Sequence, residues 1–365
     1  MIQVWRTPSD IPACLGGESS AAAASASSGI ASGASKRIAT GASTGSPAGG
    51  YPGTALTIGI FDGVHQGHQA VLARTVAVAH ERGLLPMALT FDPHPLKIHR
   101  PHMPLHLLTS LEERIQRLEK AGIEAVYIQH YTADYAAISP EDFVCDQLVQ
   151  LFKAKAVIVG EDVRFGAANR GDGTLLQELG ERYGYSVELI PDVRSHEGRR
   201  WSSTWVRELL DKGDVEGAAR ALGRAHHVRG IVQRGFQRGR KLGFPTANLA
   251  GSDSADVPAD GVYAGWVIVS EHGGAQRLPA AISVGTNPQF DAKDRTVEAH
   301  VLGRADLNLY GQEIDVEFVQ RLRPMLKLHS VAELQVQMDE DICRSAHVLG
   351  VPATGRIDPA AVTAC

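Results

Sequence analysis

The rhythm of apolar and polar positions changes about two-thirds of the way along the chain. From residue 55 to residue 191, short apolar runs alternate with helical spacing. ALTIGIF (55–61) reads as a buried strand, with a helix over 66–82 behind it. MALTF (87–91) is a strand and SLEERIQRLEKAG (110–122) an amphipathic helix. AVYIQHY (125–131) is a strand, and SPEDFVCDQLVQLF (139–152) a helix opened by a Ser cap and a Pro. AVIVG (156–160), a helix over 174–184 and SVELIP (186–191) complete the series. Such alternation predicts a parallel sheet with helices on both faces, whose ligands bind at the carboxyl ends of the strands.

Near residue 225 the texture becomes short strand-like runs split by Gly, Pro, Asn and Asp: HHVRGIVQRG, GVYAGWVIVS, RLPAAISVG, VEAHVLG and EIDVEFVQRLR. These predict an antiparallel barrel or sandwich, closed by one helix over 330–350. Two segments stand apart. Residues 15–54 are an Ala/Ser/Gly low-complexity stretch with little to bury and are expected to be a flexible insert. IQVWR before it reads as a short strand, which makes the insert a loop within the first domain. The expected division is 1–225, 226–352 and a loose tail over 353–365.

Composition narrows the function classes. The 365 residues suit two domains, and 44% apolar content supports a sizeable core. A net charge of −5 argues against a general nucleic-acid or membrane-surface binder. Cys14, Cys145, Cys343 and Cys365 show neither metal-ligand nor disulfide spacing, so a cytoplasmic chain with reduced thiols is expected. No apolar run is long enough to span a bilayer, and the first residues lack a signal core.

Candidate chemistry gathers in two constellations. In GIFDGVHQGH (59–68) a strand turns into a helix, where free backbone N–H groups favour an anion. Gly59, Phe61, Gly63 and Gly67 shape that turn, and glycines let the backbone approach a phosphate. His65 and His68 lie three apart on the first helical turn and point to one side, where they can stabilise charge developing during attack on phosphorus. Taken alone, the pair is also compatible with a capped, packed helix start; no third ligand is spaced for zinc. VGEDVRFG (159–166) carries Asp162 and Arg164 on a tight loop, and RRWSSTWVRELL (199–210) sets Ser202, Ser203, Thr204 and Arg207 at a helix start.

The second constellation is VRGIVQRGFQRGRKLGFPTANL (228–249). Gly239, Arg240 and Lys241 belong to a glycine-broken basic loop able to wrap a polyphosphate, though a basic surface loop is the plainer alternative. Thr246 and Asn248, two apart on an extended segment, face one side and offer oxygens suited to Mg²⁺ held with nucleotide phosphates. This is not a Walker loop, since no Gly-Lys-Ser/Thr follows.

On FDGVHQGH, GEDVRFG, SSTWVR and GRKLGFPTAN, followed by GVYAGW, VGTNPQF and TVEAHVL, the chain resembles the bacterial bifunctional riboflavin kinase/FMN adenylyltransferases. The resemblance implies a Rossmann-like α/β nucleotidyltransferase domain followed by a Greek-key antiparallel β-barrel kinase domain with a C-terminal helix. By it, riboflavin, FMN and ATP are the substrates, Mg²⁺ accompanies ATP, and FAD is the final product. His65 and His68 would stabilise the α-phosphate under attack. Asp162 and Arg164 would lie beside nucleotide and flavin phosphate, and Ser203, Thr204 and Arg207 would hold ATP phosphates. Asp92 and Pro93 of TFDPHP would line the flavin side, with Asn287 a further flavin or nucleotide contact. Glu298 would be the base that takes the proton of the ribityl 5′-hydroxyl. Ile60, Val163, Trp201 and Gln289 depart from the family pattern, and RPMLKL lacks the acid that commonly follows Arg323. A monomer or weak homo-oligomer is expected. Two rival readings use the same residues: a nucleotidyltransferase for another phosphate ester, and a flavin-binding regulatory protein with degraded activity.

Overall fold

The computed structural model describes residues 1–12, 15, 50–234, 243–250, 256–271, 274–286, 295–304, 306–327 and 329–356. Nearly all of the low-complexity stretch lies outside these residues. So do Gly239, Arg240, Lys241, Asn287 and Gln289, and residues 357–365 of the tail. The chain packs as two compact units: residues 1–105 with 111–200, and residues 106–110 with 201–365.

The first unit holds one six-stranded sheet. Its strands are β1 (Gln3–Trp5), β2 (Thr54–Ile58), β3 (Leu85–Asp92), β4 (Ala125–His130), β5 (Ala154–Gly160) and β6 (Ser186–Ile190). They lie in the order β1-β4-β3-β2-β5-β6, with every pair parallel. The N-terminal strand is therefore real, and it makes residues 6–53 a connection inside the first sheet.

Strand alternation divides the core between two faces. Leu56, Met87, Leu89, Tyr127, Val157 and Val159 are buried on one side. Ala55, Ala88, Val126, Ile128, Ala156 and Ile158 are buried on the other. The helices are α1 (Gln66–Arg82), α2 (Pro95–His99), α3 (Leu111–Lys120), α4 (Ala133–Ala136), α5 (Pro140–Asp142) and α6 (Gly173–Tyr183).

Two expected elements differ in detail. The first long strand ends at Ile58 rather than residue 61, because Phe61 takes a left-handed backbone (φ 53°) and opens a tight turn over Asp62–Val64. The helix expected over 139–152 starts as predicted, with Ser139 Oγ accepting from Asp142 N–H at 3.0 Å. From Phe143 to Leu151 it widens into a π-helix, and Phe152 N–H donates to the Gln147 carbonyl five residues back. Buried Val144, Leu148 and Phe152 repeat every four residues. A wider helix keeps that spacing on one face.

The second unit is built around a closed antiparallel barrel in the order β10-β11-β8-β7-β12-β9. Its strands are β7 (His226–Gln233), β8 (Ala247–Ala250), β9 (Gly261–Glu271), β10 (Gly274–Thr286), β11 (Arg295–Val301) and β12 (Glu313–Arg323). Val228, Val232, Leu249, Ile282, Val297, Ile314 and Val316 are buried at alternate positions. Helices α7 (Ser203–Asp211), α8 (Val215–Leu222) and α9 (Val331–Leu349) complete it. Beyond α9, residues 351–356 are ordered: Arg356 pairs with Asp339 and lies over the Phe244 ring. The start of the expected tail is thus fastened.

Candidate active sites

The sheet order reverses at β2. From there the chain steps to β3 and β4 on one side and later returns to β5 on the other. A crevice forms outside the carboxyl ends of neighbouring strands at such a point. Residues 59–68 follow β2 directly at this point. Gly59 is required by a close approach, since a Cβ there would meet the Phe61 ring at 2.9 Å. The buried Phe61 ring in turn packs edge-on against His68, 5.3 Å between centroids.

His65 is the N-cap of α1, and its Nδ1 accepts from the His68 N–H at 3.4 Å. This places the His65 proton on Nε2, leaving a donor on the outer edge of the ring. The two imidazoles stack at 3.7 Å with 23° between planes. His68 Nδ1 is buried without a hydrogen-bond partner. Burial holds the His68 pKa well below its ordinary value, and the neighbouring His65, Arg114 and Arg200 hold it down further. The pair therefore sets a neutral His68 imidazole against a second ring at a helix start, with Arg114 and Arg200 near: an arrangement for an incoming polyphosphate.

Asp162 curls back over the end of β5, where a Cβ on Gly160 would meet its Oδ1 at 2.9 Å. Its carboxylate accepts from Arg200 Nη2, and Arg200 Nε lies 2.9 Å from Asp192 Oδ1. Arg164 is exposed and donates to the Val163 carbonyl at 3.1 Å. Among the described residues it forms no hydrogen bond or ion pair with Asp162.

Asp92 and Pro93 end β3. Next to them Phe91, Tyr131, Tyr135 and His99 form an aromatic group of edge-to-face and tilted pairs with centroids 5.6–6.3 Å apart. His99 Nε2 lies 2.8 Å from the Tyr131 hydroxyl.

Ser203, Thr204 and Arg207 are carried by α7, in the second unit. Ser202 is the N-cap, accepting from Trp205 N–H at 3.1 Å. Trp201 stacks on Trp205 at 4.5 Å, so the tryptophan that departs from the family pattern has an aromatic partner. Arg207 Nε donates to the His106 carbonyl at 2.9 Å.

On the barrel, register assembles what sequence spacing could not. Asn248 of β8 stands directly opposite Glu298 of β11. Buried Leu249, Val297, Ala247 and Ala299 alternate with these two, so both point away from the barrel interior. Asn248 Nδ2 lies 3.3 Å from Thr246 Oγ1, and the Thr246 hydroxyl also bonds Glu298. Burial raises the Glu298 pKa, an effect that the Thr246 hydrogen bond partly opposes.

Arg323, without an acid immediately after it, forms a bidentate pair with Asp341 of α9, Nε to Oδ1 at 2.9 Å and Nη2 to Oδ2 at 2.7 Å. No cluster of three or more His, Cys, Asp or Glu suited to a metal occurs among the described residues. A cation held by Thr246 and Asn248 would take the rest of its oxygen shell from a nucleotide's phosphates.

Sequence reasoning passed over Arg114 and Arg200. Arg114 left a signal: Leu111, Ile115 and Leu118 mark the apolar stripe of α3, and Arg114 falls on it at i+3. Arg200 left none, since it sits in an irregular stretch between two patterns.

The FAD synthetase family profile matches residues 51–205, and the riboflavin kinase profile matches residues 222–349. The bifunctional riboflavin kinase/FMN adenylyltransferase of Escherichia coli (strain K12) is 33% identical over 299 residues, 82% of this chain and 94% of that protein. The Bacillus subtilis (strain 168) protein of the same description is 32% identical over 291 residues, 79% and 90% of the two chains. A crystal structure described as a macrolide-efflux protein from Streptococcus pneumoniae superposes with a TM-score of 0.73 at 29% identity, over 80% of this chain and 93% of that one. Among the described residues of the present chain, no helix is long and apolar enough to cross a membrane.

Proposed function

The chain belongs to the bifunctional riboflavin kinase/FMN adenylyltransferase family, phosphorylating riboflavin to FMN and adenylylating FMN to FAD, and on that premise we propose which residues carry each reaction. In adenylyl transfer an FMN phosphate oxygen attacks the α-phosphorus of ATP, the α–β anhydride bond breaks and pyrophosphate leaves. His65 and His68 donate to the α-phosphate oxygens as charge builds there. Gly59, Phe61, Gly63 and Gly67 hold the backbone where phosphate approaches it. Asp162 and Arg164 lie on the nucleotide and flavin-phosphate side, and Ser203, Thr204 and Arg207 hold ATP phosphates. Asp92 and Pro93 border the flavin, whose flat ring suits the aromatic group of Phe91, Tyr131 and Tyr135.

In riboflavin phosphorylation the ribityl 5′-hydroxyl attacks the γ-phosphorus of ATP and ADP leaves. Glu298 accepts the hydroxyl proton; a pKa raised by burial suits a base. Gly239, Arg240 and Lys241 wrap the phosphates, and Asn287 contacts the flavin or nucleotide. Thr246 and Asn248 would hold Mg²⁺, which neutralises phosphate charge when bound. We place the functional boundary near residue 225, which the profile matches ending at 205 and starting at 222 support. A monomer or weak homo-oligomer in the cytoplasm is the proposed working form.

One observation carries this reading: the stacked imidazole pair and the Thr246–Asn248–Glu298 group belong to different packing units. Chromatography of products from riboflavin, ATP and Mg²⁺ tests it. His68→Ala should accumulate FMN without FAD. Asn248→Ala should make FAD only when FMN is supplied. A single substitution that abolished both reactions in a folded protein would overturn the division.

A further inference from the structure

Arg114 is 1% exposed, and its guanidinium is held by neutral partners. Its Nη1 donates to Thr90 Oγ1 at 3.3 Å and to the Phe91 carbonyl at 3.2 Å. The Thr90 hydroxyl in turn donates to the Ile60 carbonyl at 3.1 Å. Arg114 therefore ends a hydrogen-bond chain that crosses from α3, through β3, to the turn that presents the histidines. Phe91 and Thr90 directly precede Asp92, at the strand end proposed to border the flavin.

A cation this deeply buried is costly to keep. Burial depresses the Arg114 pKa, and the carboxylates of Asp62 and Asp92 oppose that effect. Its Nε is buried with no hydrogen-bond partner. A packing role alone would be better served by Leu or Met on an otherwise apolar stripe. The position of the charge is what an apolar residue could not reproduce, since Asp62 follows Phe61 in the histidine-bearing turn and Asp92 ends β3.

We infer that Arg114 is a positioning residue for adenylyl transfer, a buried guanidinium that locks the turn bearing His65 and His68 to the strand end bearing Asp92. Two reacting partners approach from these two segments, ATP along the histidines and the flavin along β3. Fixing the segments to each other fixes the line of attack, and small misplacements there cost rate rather than affinity. The same charge acts on His68, together with His65 and Arg200, and helps keep its imidazole neutral until a polyphosphate arrives.

This inference rests on the roles proposed above for His65 and His68, and the experiment separates the two. In the full-length protein, Arg114→Met and Arg114→Lys are compared with His68→Ala by steady-state FAD formation from FMN and ATP. Riboflavin phosphorylation reports folding. Histidine NMR, with the His68 signal assigned from its loss in the variant, follows the imidazole titration. Arg114→Met should lower kcat for FAD formation on the order of ten- to a hundred-fold. KM for ATP and FMN should change little, FMN formation should persist, and His68 should titrate at higher pH than in the parent. Arg114→Lys keeps the charge without the planar donor fork, so kcat should fall while His68 titration stays low. Should Arg114→Met fail to fold, the Lys variant carries the test. Unchanged kcat in a folded Arg114 variant, with His68→Ala inactive in FAD formation, would overturn the positioning role alone. Full FAD formation by His68→Ala would overturn the underlying reading as well.

Discussion

Beside His65 and His68 the first unit places two arginines: Arg114 fully buried, and Arg200 between Asp162 and Asp192. Beside Glu298 the barrel places a threonine hydroxyl and an asparagine amide, and no cation among the described residues weighs on its carboxyl. Both regions prepare for phosphate, yet one holds fixed positive charge and the other holds neutral oxygens. Burial pushes each key group toward its uncharged form, His68 downward and Glu298 upward. In the first unit the arginines push the same way as burial. In the barrel the Thr246 hydrogen bond pushes back and favours the carboxylate. An imidazole kept neutral is a donor waiting for negative charge, whereas a carboxylate kept partly ionisable is an acceptor waiting for a proton. The contrast separates charge stabilisation built into the fold from charge stabilisation that arrives with the nucleotide and its metal.

Crossed substitutions give the largest expected effects on this contrast. His68→Ala removes one oxyanion-type donor, and FAD formation should fall on the order of a hundred- to a thousand-fold. Glu298→Gln removes a general base, and riboflavin phosphorylation should fall on the order of a hundred- to ten-thousand-fold. Each reaction should survive the other's substitution within about two-fold, as measured by steady-state assays with FMN or riboflavin supplied separately. If His68→Ala slowed both reactions equally, the contrast would describe one site rather than two.

The pH profile sharpens the same contrast. Glu298 accepts a proton only when ionised, and its pKa is raised. The rate of riboflavin phosphorylation should therefore fall on acidification, starting above the ordinary glutamate value of about 4.3. Glu298→Gln should flatten that limb in whatever activity remains. FAD formation should lack a limb attributable to Glu298, because that carboxylate takes no part in adenylyl transfer.

How much of this was legible beforehand differs between the two regions. Helix α1 was readable to the residue, since the glycine-flanked histidine turn marks its start and its cap, Gly83, follows it directly. The barrel strands were readable as alternating runs, but their partners were not: nothing local says that Asn248 faces Glu298 across fifty residues. Thr246 and Asn248 could be paired from their two-residue spacing, while Glu298 joined them only through family resemblance. Phe61 was invisible as a strand-breaker because its left-handed backbone is set by the ring it packs over Gly59. Arg114 could have been noticed as a charge on an apolar stripe. What lies around it comes from β3 and the histidine turn, which meet only in the folded sheet.

A smaller, structural effect concerns the barrel's own charge pair. Arg323 and Asp341 side chains are 13% and 6% exposed, and two parallel hydrogen bonds hold them together. Replacing Asp341 by Asn leaves a largely buried guanidinium without its counter-charge, which should cost about 3–5 kcal/mol. Chemical denaturation should show this as a loss in the transition of the second unit. Arg323→Met with Asp341→Leu should recover much of the loss, because both charges go together. A double variant no better than Asp341→Asn would mean that the pair fixes α9 for a reason other than charge compensation.

The smallest expected effect is the removal of residues 17–49. Strand β1 is hydrogen-bonded to β4, three strands away from β2, so the connection from Trp5 to Thr54 must cross part of the sheet and return to the amino end of the next strand. With strands about 4.8 Å apart, that path is roughly 20–25 Å. About 15 residues would remain, and at about 3.3 Å each they span it easily. The cut must stop before Tyr51, whose hydroxyl donates to Glu124 at 2.9 Å, and must spare Leu15, which is buried in the first unit's core. Loop length changes closure cost by only about 0.6 kcal/mol per doubling, so stability should hardly move. Both activities should stay within about two-fold of the parent in parallel assays. A loss confined to FAD formation would place part of the removed stretch at the histidine site and give the first unit a component that the barrel lacks.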